Sequence, residues 1–157
     1  MTEENAMAPL PWGREVIEGI LPHRDPFVWV SRIVSCEPGE EIVAELDVAR
    51  DLPLFEGHFP GHPVLPGVIL MEALAQAACC CLMADEEAAG RIGYLAGIDR
   101  AKFRRTVEPG QTVTLEARIT RSSSRLFCAD VAARVDGALC AEAKQTYVLA
   151  PATAGER

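Results

Sequence analysis

Apolar residues crowd into one stretch of the chain, VILMEALAQAACCCLMA from Val68 to Ala84, and fall in shorter runs elsewhere. This stretch is rich in Leu, Met, Ala, Glu and Gln, which favour helix. Pro66-Gly67 before it suits a helix entrance, and Asp85–Gly90 after it is a polar exit. At ~1.5 Å per residue the helix would be about 25 Å long. It is apolar almost all round, so other elements must cover nearly every side. Upstream, Val28–Val34 and Ile42–Val48 are β-rich runs, and the turn sequence Glu37-Pro38-Gly39-Glu40 between them predicts a hairpin. Downstream lie strand-like runs near Ile92–Ile98, Gln111–Arg121, Arg125–Val135 and Ala138–Leu149, with Asp136-Gly137 a strong hairpin signal. A short helix is expected over Arg14–Ile20, stopped by Pro22. One buried helix with many antiparallel strands predicts an α+β architecture, a sheet curled around a helix. Residues 1–12 and 151–157 read as loose tails on a single domain, 13–150.

The composition narrows the class. With 157 residues, 49% apolar and 24% charged, the chain is one ordinary domain and not a disordered one. No run approaches the roughly 18 apolar residues of a membrane span, and MTEENAMAPL has no basic-then-apolar leader. A soluble cytoplasmic protein is expected. Six cysteines, three of them consecutive at Cys79–Cys81, do not form a disulfide framework; on a helix their side chains diverge, and small buried hydrophobes are the better reading.

A net charge of -8 argues against general nucleic-acid binding, yet it conceals an asymmetry. Residues 1–90 hold 4 basic against 16 acidic side chains, a balance of -12, whereas 91–125 hold 8 against 3, a balance of +5. Such a basic segment is either a solvated strand face or a dock for an acidic partner or a phosphate.

Two elements carry candidate chemistry. Glu72 is the one carboxylate in the apolar helix, with Gln76 four residues on along the same face. A desolvated carboxyl resists ionising and can donate a proton near neutral pH, although such a group also serves as half of an ion pair. His58 stands in FEGHFPGHPVLPG, a loop that Gly and Pro hold stiffly, and imidazole is suited to proton abstraction. Gly67 follows, with a bare N–H in the first helical turn that can face a substrate oxygen gaining negative charge. A base, an acid and an oxyanion donor suit removal of a proton alpha to a thioester carbonyl followed by loss of a beta-hydroxyl. His23, His58 and His62 lack the spacing of a metal set, and His23 and His62 read as polar loop residues. No phosphate loop, GxSxG or CxxC occurs, so neither a metal nor a cofactor is expected.

The runs LPHRDPF (Leu21–Phe27), GHFPGHPVLPGVILMEALAQ (Gly57–Gln76) and YLAGIDRAKFRRTVEPGQ (Tyr94–Gln111) resemble the signature stretches of the 3-hydroxyacyl-[acyl-carrier-protein] dehydratases of bacterial type II fatty-acid synthesis. The likeness spans about residues 15–149. It implies the hotdog fold, a long central helix wrapped by a curved antiparallel sheet. It also implies His58 as the base for the C2 proton, Glu72 as the carboxyl assisting departure of the C3 hydroxyl, Gly67 N–H on the thioester carbonyl and the Val64 carbonyl as orienter of the histidine. Tyr94 matches an aromatic position near the mouth of the acyl tunnel. Glu at 72, where the sister dehydratase/isomerase branch has Asp, points to the pure dehydratase branch. Ser31, Leu65 and the cysteine triplet depart from the family pattern without touching the catalytic positions.

In this family the histidine and the glutamate come from opposite subunits of a homodimer, and three dimers commonly form a hexamer. Acyl carrier protein, which is acidic, would dock on Arg100, Lys102, Arg104 and Arg105. The alternatives are a hotdog thioesterase, a hydratase of coenzyme A esters, or a non-catalytic carrier-binding subunit.

Overall fold

The computed structural model describes residues 7–151. Their elements are α1 (Arg14–Ile20), β1 (Arg32–Glu37), β2 (Glu41–Asp47), a 3-10 turn (Pro53–Glu56), α2 (Gly67–Met83), β3 (Arg91–Phe103), β4 (Thr112–Ser122), β5 (Leu126–Val135) and β6 (Ala138–Pro151). The strands form one antiparallel sheet in the order β1-β2-β4-β5-β6-β3. Helix α2 contacts all six. Strands spaced ~4.8 Å apart make a sheet far wider than a helix of ~10 Å diameter, so reaching every strand requires the sheet to wrap the helix. This is the α+β hotdog arrangement.

The wrapping explains the all-round apolar character of α2. Every residue from Leu70 to Met83 is buried except Glu72. The inward positions alternate along the strands: Ile42, Ala44 and Leu46 on β2, Val113, Leu115 and Ala117 on β4, and Phe127, Ala129, Val131 and Ala133 on β5. Each fully buried large side chain such as Leu74 or Phe127 contributes about 1.5–3 kcal/mol. Gln145, fully buried on β6, donates from Nε2 to the Met71 carbonyl at 2.9 Å and accepts from the Tyr147 hydroxyl, so the polar groups placed against the helix are partnered. The hairpin at Asp136-Gly137 has φ of 49° and 79°, as a two-residue type I′ turn requires.

Three boundaries differ from the sequence reading. Val28, Trp29 and Val30 are buried but precede β1, which starts at Arg32. Strand β3 runs on to Phe103 through two bulges. Trp12, assigned above to the N-terminal tail, is buried and bridges Ile33, its indole N–H donating to the Ala8 carbonyl at 2.5 Å. Residues 1–6 and 152–157 of the two tails lie outside the described residues. No helix among the described residues is long and apolar enough to cross a membrane.

Burial also sets the behaviour of two thiols of the cysteine triplet. Desolvation pushes the Cys79 thiol up to about 12, and Cys80 and the Tyr147 phenol well above their ordinary values. These groups are held protonated in the folded chain but ionise once exposed. Stability is therefore fully present below the unfolded thiol value of 9.0 and is lost as pH rises beyond it. At pH 10 the loss is expected to reach about 1.4 kcal/mol per thiol, ~3 kcal/mol for Cys79 and Cys80 together. Urea unfolding at pH 8 and pH 10 checks this, and the doubly substituted Cys79→Ala, Cys80→Ala protein should lose the ~3 kcal/mol share that belongs to these two thiols.

Candidate active site

The loop bearing His58 is closed by its own backbone. His58 N–H donates to the Leu54 carbonyl at 3.1 Å and Val64 N–H to the His58 carbonyl at 3.0 Å, while Phe59 and His62 exchange two bonds at 3.0 and 2.8 Å. Gly61, at φ 72°, makes the left-handed turn this closure needs. Leu65 N–H ties the loop to the Val107 carbonyl at 2.8 Å. The imidazole stacks on Phe59, ring centres 4.0 Å apart, and its Nδ1 lies 2.7 Å from the Val64 carbonyl oxygen. A carbonyl can only accept, so Nδ1 carries the proton and Nε2 of the neutral ring is left as a bare acceptor.

Glu72 stands one turn into α2, a quarter of its side chain exposed. Its Oε1 accepts from Gln76 Nε2 at 3.0 Å. Gln76 is itself buried and doubly engaged with the segment before β1, accepting from Trp29 N–H at 2.9 Å and donating to the Phe27 carbonyl at 2.9 Å. The amide thus does for residues 27–29 what a neighbouring strand would do, and binds them to the carboxyl. His23 comes with that segment: its Nε2 lies 3.6 Å from Glu72 Oε1. The sequence reading left His23 as a polar loop residue; the structure brings it to the carboxyl. His62 remains an exposed loop residue.

Gly67 is the first residue of α2, and Pro66 caps the helix without a side-chain bond. Among the described residues the Gly67 N–H finds no backbone acceptor, so the helix start presents a free donor. A Cβ placed on Gly67 would lie 2.7 Å from the Phe103 ring, which therefore closes over the helix entrance. Phe103 sits between Lys102 and Arg104, and so delivers the basic run to this end of α2. Lys102 and Arg105 make no ion pair among the described residues; Arg104 pairs with Glu142 at 3.1 Å. Arg100 departs from this group. A bulge holds it at φ 54°, and it lines an ~800 Å³ concavity on the sheet's outer face beside Glu41, Glu116 and Asp130. None of His58, Gly67 or Glu72 lines that concavity.

No hydrogen bond or ion pair joins His58 to Glu72 within the described chain. Strand β3 is an edge of the sheet and exposes Tyr94 (57%), Leu95, Ile98 and Phe103 (54%); Val68 on the first turn of α2 is 73% exposed. A long edge strand with apolar side chains is a pairing surface. Sequence reasoning missed His23 and Phe103 as site residues, and it named Gln76 only as the neighbour of Glu72 along the helix. The spacing of Glu72 and Gln76 was the one signal that could have led to the clamp.

Residues 21–144 match the FabA-like domain. The chain belongs to this family. Curated relatives include the 3-hydroxyacyl-[acyl-carrier-protein] dehydratase FabZ of Anaeromyxobacter sp. (strain K), 45% identical over 85% of this chain and 88% of the relative. The FabZ of Anaeromyxobacter sp. (strain Fw109-5) is 44% identical over 96% and 97%, and that of Oceanobacillus iheyensis 39% identical over 86% and 96%. Among solved structures, a chain of the dehydratase heterocomplex ApeI:P from Xenorhabdus doucetiae superposes with a TM-score of 0.76 at 16% identity, covering 93% of this chain and 95% of that one. That likeness shows the fold.

Among the described residues no cluster of His, Cys, Asp or Glu has metal-holding geometry. The groups present in this FabA-like chain suit acid–base work: a bare imidazole nitrogen, a partly buried carboxyl held by an amide, and a helix-terminal N–H.

Proposed function

We propose that this protein removes water reversibly from a (3R)-hydroxyacyl thioester on acyl carrier protein, giving the trans-2-enoyl thioester of type II fatty-acid synthesis or a related acyl pathway. The chain is a hydro-lyase of the 3-hydroxyacyl-[acyl-carrier-protein] dehydratase type, as its relatives are. The observation that carries the mechanism is the His58 ring, fixed through Nδ1 on the Val64 carbonyl with Nε2 free.

In the proposed reaction His58 Nε2 takes the C2 proton. The C–H electron pair becomes the C2=C3 bond, and the C3–O bond breaks. Glu72 gives its proton to the departing hydroxyl, which leaves as water. The Gly67 N–H bonds the thioester oxygen as negative charge gathers there. His58 then holds one proton more and Glu72 one fewer, and exchange with solvent resets both. The elimination rearranges electrons already in the substrate and calls for no redox partner.

Because His58 and Glu72 make no contact within one chain, the site is proposed to complete itself across a homodimer joined along β3, His58 from one subunit facing Glu72 of the other; association of three dimers extends the same reading. Lys102, Arg104 and Arg105, carried to the helix entrance by Phe103, are the proposed dock for the acidic carrier, with Tyr94 beside the acyl entrance. Arg100 faces the outer concavity and is left out of that group. A cytoplasmic location fits a carrier-bound substrate.

Purified protein mixed with a 3-hydroxyacyl carrier-protein thioester is expected to raise enoyl absorbance without releasing free thiol. Thiol release without an enoyl product would mean a thioesterase, and carrier binding without turnover a non-catalytic subunit.

A further inference from the structure

His23 lies in the segment before β1, away in sequence from the helix that carries Glu72, yet its ring is held in place. Leu21, two residues before it, is buried, the Arg24 guanidinium bonds the Leu21 and His23 carbonyls at 3.0 and 2.6 Å, and the ring lies nearly parallel to Phe27, 14° between planes with centres 6.5 Å apart. Phe27 is in turn fixed by Gln76 through its carbonyl. The imidazole therefore approaches Glu72 on a backbone that its neighbours tie down.

Its two nitrogens have different surroundings. Nδ1 is enclosed and meets no hydrogen-bonding group among the described residues. An enclosed N–H without an acceptor is rarer and costlier than an enclosed bare lone pair, so the proton belongs on Nε2. That nitrogen faces Glu72 Oε1, the same oxygen that accepts from Gln76. Two N–H groups directed at one carboxyl oxygen make it the carbonyl-type oxygen, and the acid proton is left to Oε2. Among the described residues Oε2 has no partner.

We propose that His23 is a positioning residue for Glu72: with Gln76 it marks Oε1 as the held oxygen and places the transferable proton on Oε2, toward the departing hydroxyl. This role rests on the dehydratase reading above. At 3.6 Å the His23 contact is longer than a hydrogen bond, and the proposal requires it to shorten in the substrate complex, as contacts to catalytic groups commonly do.

Two substitutions separate the N–H from the ring. His23→Phe keeps the stacking face toward Phe27 and deletes the donor; His23→Gln keeps an N–H near the Nε2 position and deletes the ring. With the full-length enzyme, His23→Phe is expected to lower kcat ~10-fold with KM within ~2-fold, and His23→Gln to stay within ~3-fold of wild type. Nitrogen chemical shifts of the wild-type imidazole should report the Nε2–H tautomer. Unchanged kcat in His23→Phe, an equal loss in both variants, or an Nδ1–H tautomer would each overturn the proposal. Absence of turnover in the wild type is a separate result: it overturns the dehydratase reading and, with it, any part for His23 in turnover.

Discussion

His58→Ala is expected to lower kcat by ~10²–10⁴-fold, the range spanned by removal of a positioned general base. The geometry gives the reason for so large a loss. The loop from Leu54 to Val64 is closed by five backbone hydrogen bonds and anchored to Val107 through Leu65, so the imidazole has its direction set before substrate arrives. Its Nδ1 is committed to Val64, which keeps Nε2 bare at neutral charge. Water that fills the space left by Ala has neither the basicity nor the orientation. Stability should change little, since the side chain is only partly buried and rests on an exposed Phe59. Glu72→Gln should fall by a comparable factor, because an amide fills the same space but cannot give up a proton as a carboxylic acid does.

Mixing these two inactive proteins tests the shared site. If His58 and Glu72 meet across a dimer, exchange of subunits regenerates one intact site in each mixed dimer. Random reassociation then restores about a quarter of the wild-type sites. No recovery, with exchange demonstrated, would put both residues of each site in one chain. Enoyl absorbance under saturating substrate reads both experiments, with thermal unfolding as the control for folding.

Much of this arrangement was legible beforehand. Helix α2 announced itself through an apolar run between Pro66 and a polar exit, and its all-round hydrophobicity required a sheet that wraps it. His58 and Glu72 stood out for a related reason: each is a chemically active side chain in a setting that supplies no bland partner, one in a Gly/Pro loop and one in an apolar helix. The segment before β1 was harder. Val28–Val34 has the branched apolar content of a strand, but Phe27 and Trp29 find their hydrogen bonds on the side chain of Gln76, and local composition does not distinguish an amide partner from a ladder. Strand β3 outran its reading because Asp99–Phe103 is polar and bulged; what makes it strand is β6 alongside, with Lys102 opposite Glu142 and Phe103 opposite Ala141. His23 and Glu72 belong to elements with no common period, so only the fold could bring them together.

The smallest residue of the site leaves the least room for a side chain, and Gly67→Ala is expected to cost ~10²-fold in kcat/KM, the lower end of what loss of an oxyanion donor costs. The N–H survives this substitution, so the loss comes from what a methyl group meets. The added carbon would lie 2.7 and 2.9 Å from two Phe103 ring atoms, closer than carbon atoms approach, and the backbone of a helix start yields less readily than a ring that is 54% exposed. Phe103 must therefore swing away. It then uncovers the donor to water. Stability should change little, because the ring that must move is half exposed and the first residue of a helix gains less from Ala than an interior one. Activity lost without a fall in unfolding temperature separates damage to the oxyanion site from damage to the fold. Wild-type kcat/KM in Gly67→Ala would mean that the ring yields freely, and that the N–H is not shielded by Phe103 at all.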